Sequence, residues 1–176
     1  MEHKITIDMS TENLHKQDAL AKLKDLVNDI DIGMLSTFCD TKEYPYTIPM
    51  SRQEVEDDGS IWFILSSESQ TYKNLMKDNK LSIAFAHVGD YKFLSVNGKG
   101  NLTQDKSRIE KYWNKFVEAW FEKGKEDPTI RVLQVVPNEA HYWDNKTNKL
   151  VTFFKLASVA ITGADLELGR EGKLNI

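Results

Sequence analysis

The strongest constraint on the fold is a series of short strand-like segments that turn signals separate. Asp57-Asp58-Gly59 is the clearest signal, because Asp-Gly pairs favour the tight turn of a β-hairpin and apolar segments flank it. Val88-Gly89-Asp90 and Asn145–Asn148 divide the chain in the same way. Segments joined by such short turns pair as antiparallel neighbours, which argues against a parallel βαβ sheet.

Residue patterns predict where the strands and helices lie. Apolar residues at spacings of three and four predict a first helix that Ser10 or Thr11 caps and that ends near Asp31. A later helix, rich in aromatic residues, is capped by Asp105 and ends at Gly124. A short helix over Thr71–Asp78 lies among strands predicted at Met34–Phe38, Tyr46–Val55, Ile61–Leu65, Leu81–His87, Tyr91–Thr103, Ile130–Val136, His141–Asp144 and Val151–Ala160. This order favours a mainly β, α+β fold, a β-barrel closed by helices.

Composition and charge exclude several classes of protein. The chain of 176 residues suits one domain, and its 23 basic and 27 acidic residues form no basic stripe of the kind that binds nucleic acid. It shows no signal peptide and no apolar stretch long enough to cross a membrane. The single cysteine, Cys39, forms no internal disulfide, so we expect a cytoplasmic protein.

Common catalytic templates are missing from the sequence. We find no P-loop, dinucleotide fingerprint, nucleophile elbow or paired-cysteine motif. The histidines His3, His15, His87 and His141 do not stand at metal-ligand spacing, so no metal site is predicted. Cys39 is more often a buried apolar residue than a nucleophile in this kind of position.

One stretch suits a phosphate group. Strand Ile61–Leu65 leads into Ser66–Lys73, which concentrates hydroxyls, loop amides, a helix start and one lysine. A phosphate dianion requires N–H donors, hydroxyl donors and a cation. The same pattern also describes an ordinary capped, solvated turn, so composition alone does not decide between the two.

The aromatic helix has two interpretations. Its apolar residues recur at helical spacing: Ile109, Tyr112, Trp113, Phe116, Trp120 and Phe121. Trp113 and Trp120 stand seven residues apart and would share one face of a continuous helix. Packing in the core or at a dimer interface is the preferred interpretation, with a wall for a cofactor as the alternative.

Read in order, these segments resemble the FMN-binding split-barrel family of pyridoxamine 5'-phosphate oxidase-like proteins. Within that family the chain is most similar to the general stress protein 26 subfamily, over about residues 12–163. The resemblance rests on these stretches: Thr47–Met50, Asp58–Leu65, Thr71–Lys73, Asn79–Ile83, Val96–Gly100, Asp105, Trp113, Trp120–Pro128 and Pro137–Trp143. Each stretch alone is weak, but their order and spacing together are fairly specific.

The resemblance implies a fold and an assembly. The expected structure is a six-stranded antiparallel split β-barrel with flanking helices, in one FMN-binding domain over residues 1–176. Residues 164–176 form a tail to which no structure is assigned. The expected assembly is a homodimer with one FMN in each of two clefts at the subunit interface, without nucleic acid or membrane.

Positions that match the family motifs give the candidate cofactor-binding residues. They are Met50, Arg52, Ile64, Leu65, Thr71, Tyr72, Lys73, Lys92 and Trp143. By analogy Thr71, Tyr72 and Lys73 hold the FMN phosphate, with Lys73 as the cation. Ile64 and Leu65 line the ribityl chain and ring, and Met50 lies beside the isoalloxazine. Lys92 occupies the position of a flavin-contacting glutamine in the oxidases, and Trp143 closes the site from the other subunit.

Two departures from the family pattern qualify the expected function. Ile48 stands where the subfamily usually has an arginine, and Arg52 on the same strand face is the candidate substitute. Asp144–Asn148 replaces the Arg/His-rich segment with which vitamin B6 oxidases grip their substrate. We therefore expect an FMN-binding flavoprotein, an FMN-dependent oxidoreductase without that clamp and with no catalytic residue assigned.

Two alternatives stay open from the sequence. One is a split barrel that binds haem or deazaflavin, with His87 or His141 as the haem ligand. The other is a cofactor-free dimeric structural domain in which the aromatic residues only pack.

Overall fold

The structure, a computed structural model, describes residues 7–38, 43–145 and 166–175, which are mostly β-sheet. The strands are β1 Ile7–Thr11, β2 Leu14–His15, β3 Ile32–Thr37, β4 Tyr46–Ser51, β5 Glu54–Val55, β6 Ile61–Ser66, β7 Lys80–His87, β8 Lys92–Thr103, β9 Ile130–Asn145 and β10 Leu166–Asn175. The helices are α1 Lys16–Asn28, α2 Gln70–Leu75, α3 Lys106–Tyr112 and α4 Lys115–Glu118. The predicted strand Val151–Ala160, most of the turn Asn145–Asn148, and Cys39 lie outside the described residues.

The described strands form one sheet whose neighbours are mostly antiparallel. Its path of ladders runs β1-β10-β9-β8-β7-β3-β4, while β2 pairs with β10 and β6 pairs with β5 and β9. The mainly β, α+β class that the sequence predicts is confirmed. The sheet has ten strands rather than six, and its hydrogen-bonded path is open from β1 to β4. None of the described helices has the length and apolar character needed to cross a membrane.

The predicted start of the first helix is wrong. Ser10 and Thr11 belong to β1, which runs parallel to β10, and the N-cap of α1 is His15, whose side chain makes no capping hydrogen bond. The ladder with β10 gives the backbone of residues 7–11 more hydrogen bonds than a helix cap would, so tertiary pairing overrides the local signal. The apolar face of α1 is as expected, with Leu23, Leu26 and Val27 buried.

The aromatic helix is broken in two, contrary to the prediction of one continuous helix. Asn114 has an extended backbone, and its side chain accepts the N–H groups of Phe116 and Val117, which begins a new helix. Trp113 and Trp120 therefore share no helix face. Trp113 packs against Phe121, whereas Trp120 is 74% exposed. The predicted Asp105 cap of α3 is confirmed, but α4 ends at Glu118, before Gly124.

Buried apolar side chains form two clusters, on opposite sides of β6. The main cluster fills the space between α1 and the strands and includes Phe63 and Leu65, whereas the second packs Trp62 against α3 and α4. The Arg108 guanidinium lies 3.5 Å from the centroid of the Trp62 ring and covers it. Hydrogen bonds from Lys111 and Tyr112 lower the pKa of Glu54 at the edge of this second cluster.

Of the two glycines within β8, Gly98 lies at a bulge. The β8–β9 register shifts between Asn97 and Gly98, and a Cβ on Gly98 would lie only 2.4 Å from the carbonyl oxygen of Val136.

The tail without a sequence assignment supplies β10, which pairs with the end of β9 and buries Leu174. β9 is thus continuous for 16 residues, where two strands were predicted.

Candidate functional site

The phosphate-like stretch folds into a tight corner between β6 and α2. Ser69 caps α2: its Oγ accepts the N–H of Tyr72 at 3.2 Å and donates to the carbonyl oxygen of Ser66 at 2.6 Å. The N–H of Lys73 donates to the carbonyl oxygen of Ser69. Gln70 and Thr71 stand in the first turn of α2, so their N–H groups have no partner within the helix.

Hydrogen bonds between side chains anchor this corner to the sheet. Gln70 Nε2 donates to Asn74 Oδ1 at 2.8 Å, and Asn74 Nδ2 donates to Thr37 Oγ1 at 3.0 Å. Asn74 and Thr37 are both buried. A buried and satisfied pair of this kind fixes α2 relative to the end of β3, so the corner is held in place before any ligand binds.

Two buried side-chain polar atoms in the described part of the chain lack a hydrogen-bond partner. They are Thr71 Oγ1 and Arg52 Nε, and both residues belong to the predicted cofactor set. Buried polar groups in folded proteins almost always have partners, so each such atom requires an explanation. Because Thr71 Oγ1 is covered by protein, a ligand reaches it only if neighbouring side chains shift.

Lys73 and Tyr72 stand on the accessible side of the same helix. Lys73 is exposed, and no described carboxylate lies within ion-pair distance of it. Tyr72 is half-buried against the main cluster. Of the three residues predicted to hold a phosphate, Thr71 is buried, Tyr72 is half-buried and Lys73 is exposed without a described carboxylate partner.

The apolar residues predicted to contact the cofactor lie on two opposite sides of β6. Leu65 belongs to the main cluster with Met50, whereas Ile64 packs against the second cluster. Neighbouring strand residues point to opposite faces, so a ligand along one face of β6 meets one of these two side chains. Met50 is 8% exposed and shares the Leu65 side.

Arg52 and Lys92 lie at a second location, around the end of α1. Arg52 Nη2 donates to Asp31 Oδ1 at 3.0 Å and to the carbonyl oxygen of Asn28 at 3.3 Å. Lys92 pairs with Asp29, and this hydrogen bond raises the pKa of Lys92. Both cations are therefore neutralised by acids of one segment, unlike Lys73.

Trp143 lies on the outer face of the sheet, away from the main cluster. Its ring stacks against that of His141 with centroids 6.4 Å apart, and Phe93 is its cross-strand neighbour. Charged residues mark the borders of this side of the sheet: Lys80, Lys99, Glu139, Glu171 and Lys173. The residues inside these borders alternate with the buried ones along each strand and include no Lys, Arg, Asp or Glu: Ile32, Met34, Ser36, Thr47, Pro49, Ser51, Ser82, Ala84, Ala86, Phe93, Ser95, His141 and Trp143. We refer to these residues as the outer face.

Arg131 is a basic neighbour of the corner that sequence reasoning missed. The β6–β9 ladder sets it opposite Leu65, and its guanidinium lies 5.8 Å from the centroid of the Tyr72 ring. Two strands and two helices, β7, β8, α3 and α4, lie between Tyr72 and Arg131 in the chain, so only the strand register reveals that they meet. No local motif marks this residue.

An open groove of about 490 Å³ lies apart from the predicted cofactor residues. It adjoins the bulge of β8 and is lined by Phe38, Lys80, Leu81, Asn97, Gly98, Lys99, Asn138 and Glu139. Of the two candidate haem ligands, His87 accepts the N–H of Asp90 through Nδ1 at 3.1 Å, and His141 stacks on Trp143.

Comparison with known proteins agrees with this fold. The model of the family described as pyridoxamine 5'-phosphate oxidase like matches residues 18–167. Protein bli-3 of Neurospora crassa is 26% identical in an alignment 162 residues long that covers 83% of this chain and 78% of that protein. The chain therefore belongs to the pyridoxamine 5'-phosphate oxidase-like family, as the sequence motifs indicated.

Two solved structures place the fold within that family. A general stress protein 26 from Jannaschia sp. CCS1 superposes with a TM-score of 0.73 at 20% identity, covering 92% of this chain and all of that one. A general stress FMN/FAD binding protein from Xanthomonas citri superposes with a TM-score of 0.61 at 29% identity, covering 74% of this chain and 90% of that one. The predicted kinship with general stress proteins is thereby confirmed.

Proposed function

We propose that this protein is an FMN-binding flavoprotein of the oxidoreductase type, with the flavin phosphate held at the corner between β6 and α2. The observation that carries the proposal is the hydroxyl of Thr71, which is buried without a hydrogen-bond partner on the short helix that also carries the exposed cation of Lys73. A phosphate oxygen accepts such a hydroxyl, the adjacent N–H groups and the ammonium together. The residues present therefore suit a phosphorylated ligand.

Similarity to proteins associated with flavins supports a flavin as the bound ligand. The family is flavin-associated, and the Xanthomonas citri relative at 29% identity is named as an FMN/FAD binding protein. Leu65 and Met50 provide apolar surface on one side of β6, which suits the ring system of a flavin. FMN has the terminal phosphate that the corner requires, which riboflavin lacks.

We also propose that the sheet works as the six-stranded split barrel that the sequence suggests. Only Arg52 and Gln53 separate β4 from β5, so these strands act as two halves of one bent strand. If β4 and β5 are counted as one strand, that strand pairs with β3 on one side and with β6 on the other. The ladders β6–β9, β9–β8, β8–β7 and β7–β3 then complete a ring of six strands around the main cluster. The cofactor corner then lies at the end of β6.

When bound, FMN supplies electron or hydride transfer, and the protein supplies binding and orientation. Thr71 and Lys73 hold the phosphate, while Met50 and Leu65 keep water from one side of the ring. Vitamin B6 oxidase activity is not part of the proposal, because Asp144 follows Trp143 where those enzymes begin their basic substrate clamp. The substrate is a different electron acceptor or donor.

The outer face suits association with a second copy of the chain. It spans five strands and contains no Lys, Arg, Asp or Glu, and the charged residues of the same side lie at its borders, as around a surface patch with a polar rim. Ile32 is 54% exposed and Met34 is 44% exposed on this face. Trp143 lies there too, so pairing of two outer faces would carry each Trp143 towards the partner's flavin, as the resemblance implies.

Titration of the ligand-free protein with FMN tests the cofactor. We expect the protein to quench FMN fluorescence at saturation and to shift its visible absorption bands. Thr71→Val should raise the dissociation constant of FMN about fivefold, the value of one neutral hydrogen bond. The same change should leave the ligand-free protein equally stable or more stable by about 1 kcal/mol, because it removes a buried, unpartnered hydroxyl without changing the shape of the side chain.

Opposite effects on affinity and stability distinguish a ligand role from a structural role. Loss of stability in Thr71→Val would show that the hydroxyl has a partner within the protein. The absence of quenching or of any spectral change with FMN at millimolar concentration would reject the cofactor altogether. Ser67→Ala, which changes another hydroxyl of the same loop, is the matched control and should alter neither quantity by more than experimental error.

Ala84→Arg tests the assembly. Ala84 lies at the middle of the outer face, between Met34 and Ser95 in the ladders. We expect the wild-type protein to sediment as a dimer and the variant as a folded monomer with at least tenfold weaker FMN binding, because two arginines would meet in an apolar interface. A wild-type monomer that binds FMN tightly would refute the proposed interface.

A further inference from the structure

Arg131 differs from the other arginines whose side chains the structure describes. Arg52 pairs with Asp31, and Arg108 pairs with Glu54 and Glu56. No described carboxylate comes within ion-pair distance of Arg131, although its side chain is half-buried. A partly buried guanidinium without a counter-ion is costly, which favours a role for its charge in binding.

The protein orients this guanidinium without neutralising it. Nη1 donates to the carbonyl oxygens of Pro128 at 2.8 Å and Ile130 at 2.7 Å. These two bonds fix one end of the planar group, while Nε and Nη2 donate to none of the described residues. The ring of Tyr72 lies beside it, and Tyr72 is part of the phosphate corner.

We propose that Arg131 is a second cation for the phosphate of the bound flavin and makes the site selective for FMN over riboflavin. The inference rests on the proposed flavin function. It also answers the departure at Ile48: the arginine usual at that position in the subfamily is missing, and a guanidinium from β9, the strand that pairs with β6, supplies a charge in its place. Arg52 is less suited, because Asp31 already neutralises it.

The test compares two ligands that differ only in the phosphate. Fluorescence quenching gives the dissociation constants of FMN and riboflavin for the wild type, Arg131→Gln and Arg131→Lys. We expect Arg131→Gln to weaken FMN binding about tenfold and to change riboflavin binding less than twofold. The FMN affinity of Arg131→Lys should lie between those of the wild type and Arg131→Gln, because lysine keeps the charge but lacks the planar fork of donors.

The outcomes separate this inference from the function on which it rests. Wild-type protein that binds neither flavin would reject the proposed function. Wild-type protein that binds FMN, with an Arg131→Gln variant of equal FMN affinity, would overturn the inference alone. Equal losses for FMN and riboflavin would assign Arg131 a structural role and overturn it as well. Lys77→Gln, an exposed charge just after α2, is the control and should affect neither ligand.

Discussion

Replacing Lys73 by glutamine should raise the dissociation constant of FMN between about 10- and 100-fold, the largest effect on binding expected from any single side chain. A hydrogen bond to a charged group contributes roughly 1.5–3 kcal/mol, and each 1.4 kcal/mol corresponds to a factor of ten in affinity. Lys73 has no described carboxylate partner, so its whole charge is available to the phosphate. Glutamine keeps most of the side-chain length and removes only the charge.

The salt dependence of this variant identifies the interaction as ionic. Wild-type affinity for FMN should fall as salt rises, because an exposed ion pair is screened, and the slope should be smaller in Lys73→Gln. The free energy of unfolding of Lys73→Gln should be lower than that of the wild type by less than about 0.5 kcal/mol, because the Lys73 side chain is exposed. Lys77→Gln provides a comparison of the same substitution nearby, and equal losses in the two variants would mean that Lys73 acts only through the general charge of the surface.

The sequence predicted which residues form this corner but not which of their polar groups have hydrogen-bond partners. The hydroxyl residues and the lysine at the start of a helix can be read directly from the sequence. Ser69 caps α2, as a serine before a helix commonly does. Whether the Thr71 hydroxyl has a partner depends on packing against residues distant in the chain, which no local pattern shows. Arg131 reaches the corner through the register of β6 and β9, so its role was invisible until that pairing was known.

For the fold, local signals succeeded where they agreed with tertiary pairing. The turn at Gly59, which has φ = 85°, and the strands on either side of it follow directly from Asp-Gly chemistry. The first helix starts late because β10 pairs with β1, a contact between residues about 160 apart. The aromatic helix breaks because the Asn114 side chain caps a new turn, and helical spacing of apolar residues gives no sign of such a cap.

The largest expected loss of stability on this sheet comes from Gly98→Ala. The substitution should lower the free energy of unfolding by about 2–3 kcal/mol, since a Cβ there would lie 2.4 Å from the Val136 carbonyl oxygen, and backbone yields less readily than a side chain. The corresponding fall in melting temperature is about 5–10 °C for a chain of this length. Gly98 is not in the left-handed region, so the cost is steric and not conformational.

This glycine also links the fold to the site. The bulge at Gly98 sets the register in which β8 meets the end of β9, and a slip of one residue would turn Trp143 from the outer face into the core. Gly100→Ala should cost less, because its nearest contacts are the flexible ends of Leu133 and Leu81 at 2.9 and 3.1 Å. Lys99→Ala, an exposed residue between the two, should cost least. Calorimetry of the three variants tests this order, and equal losses at Gly98 and Lys99 would show that the close approach to Val136 does not fix the register.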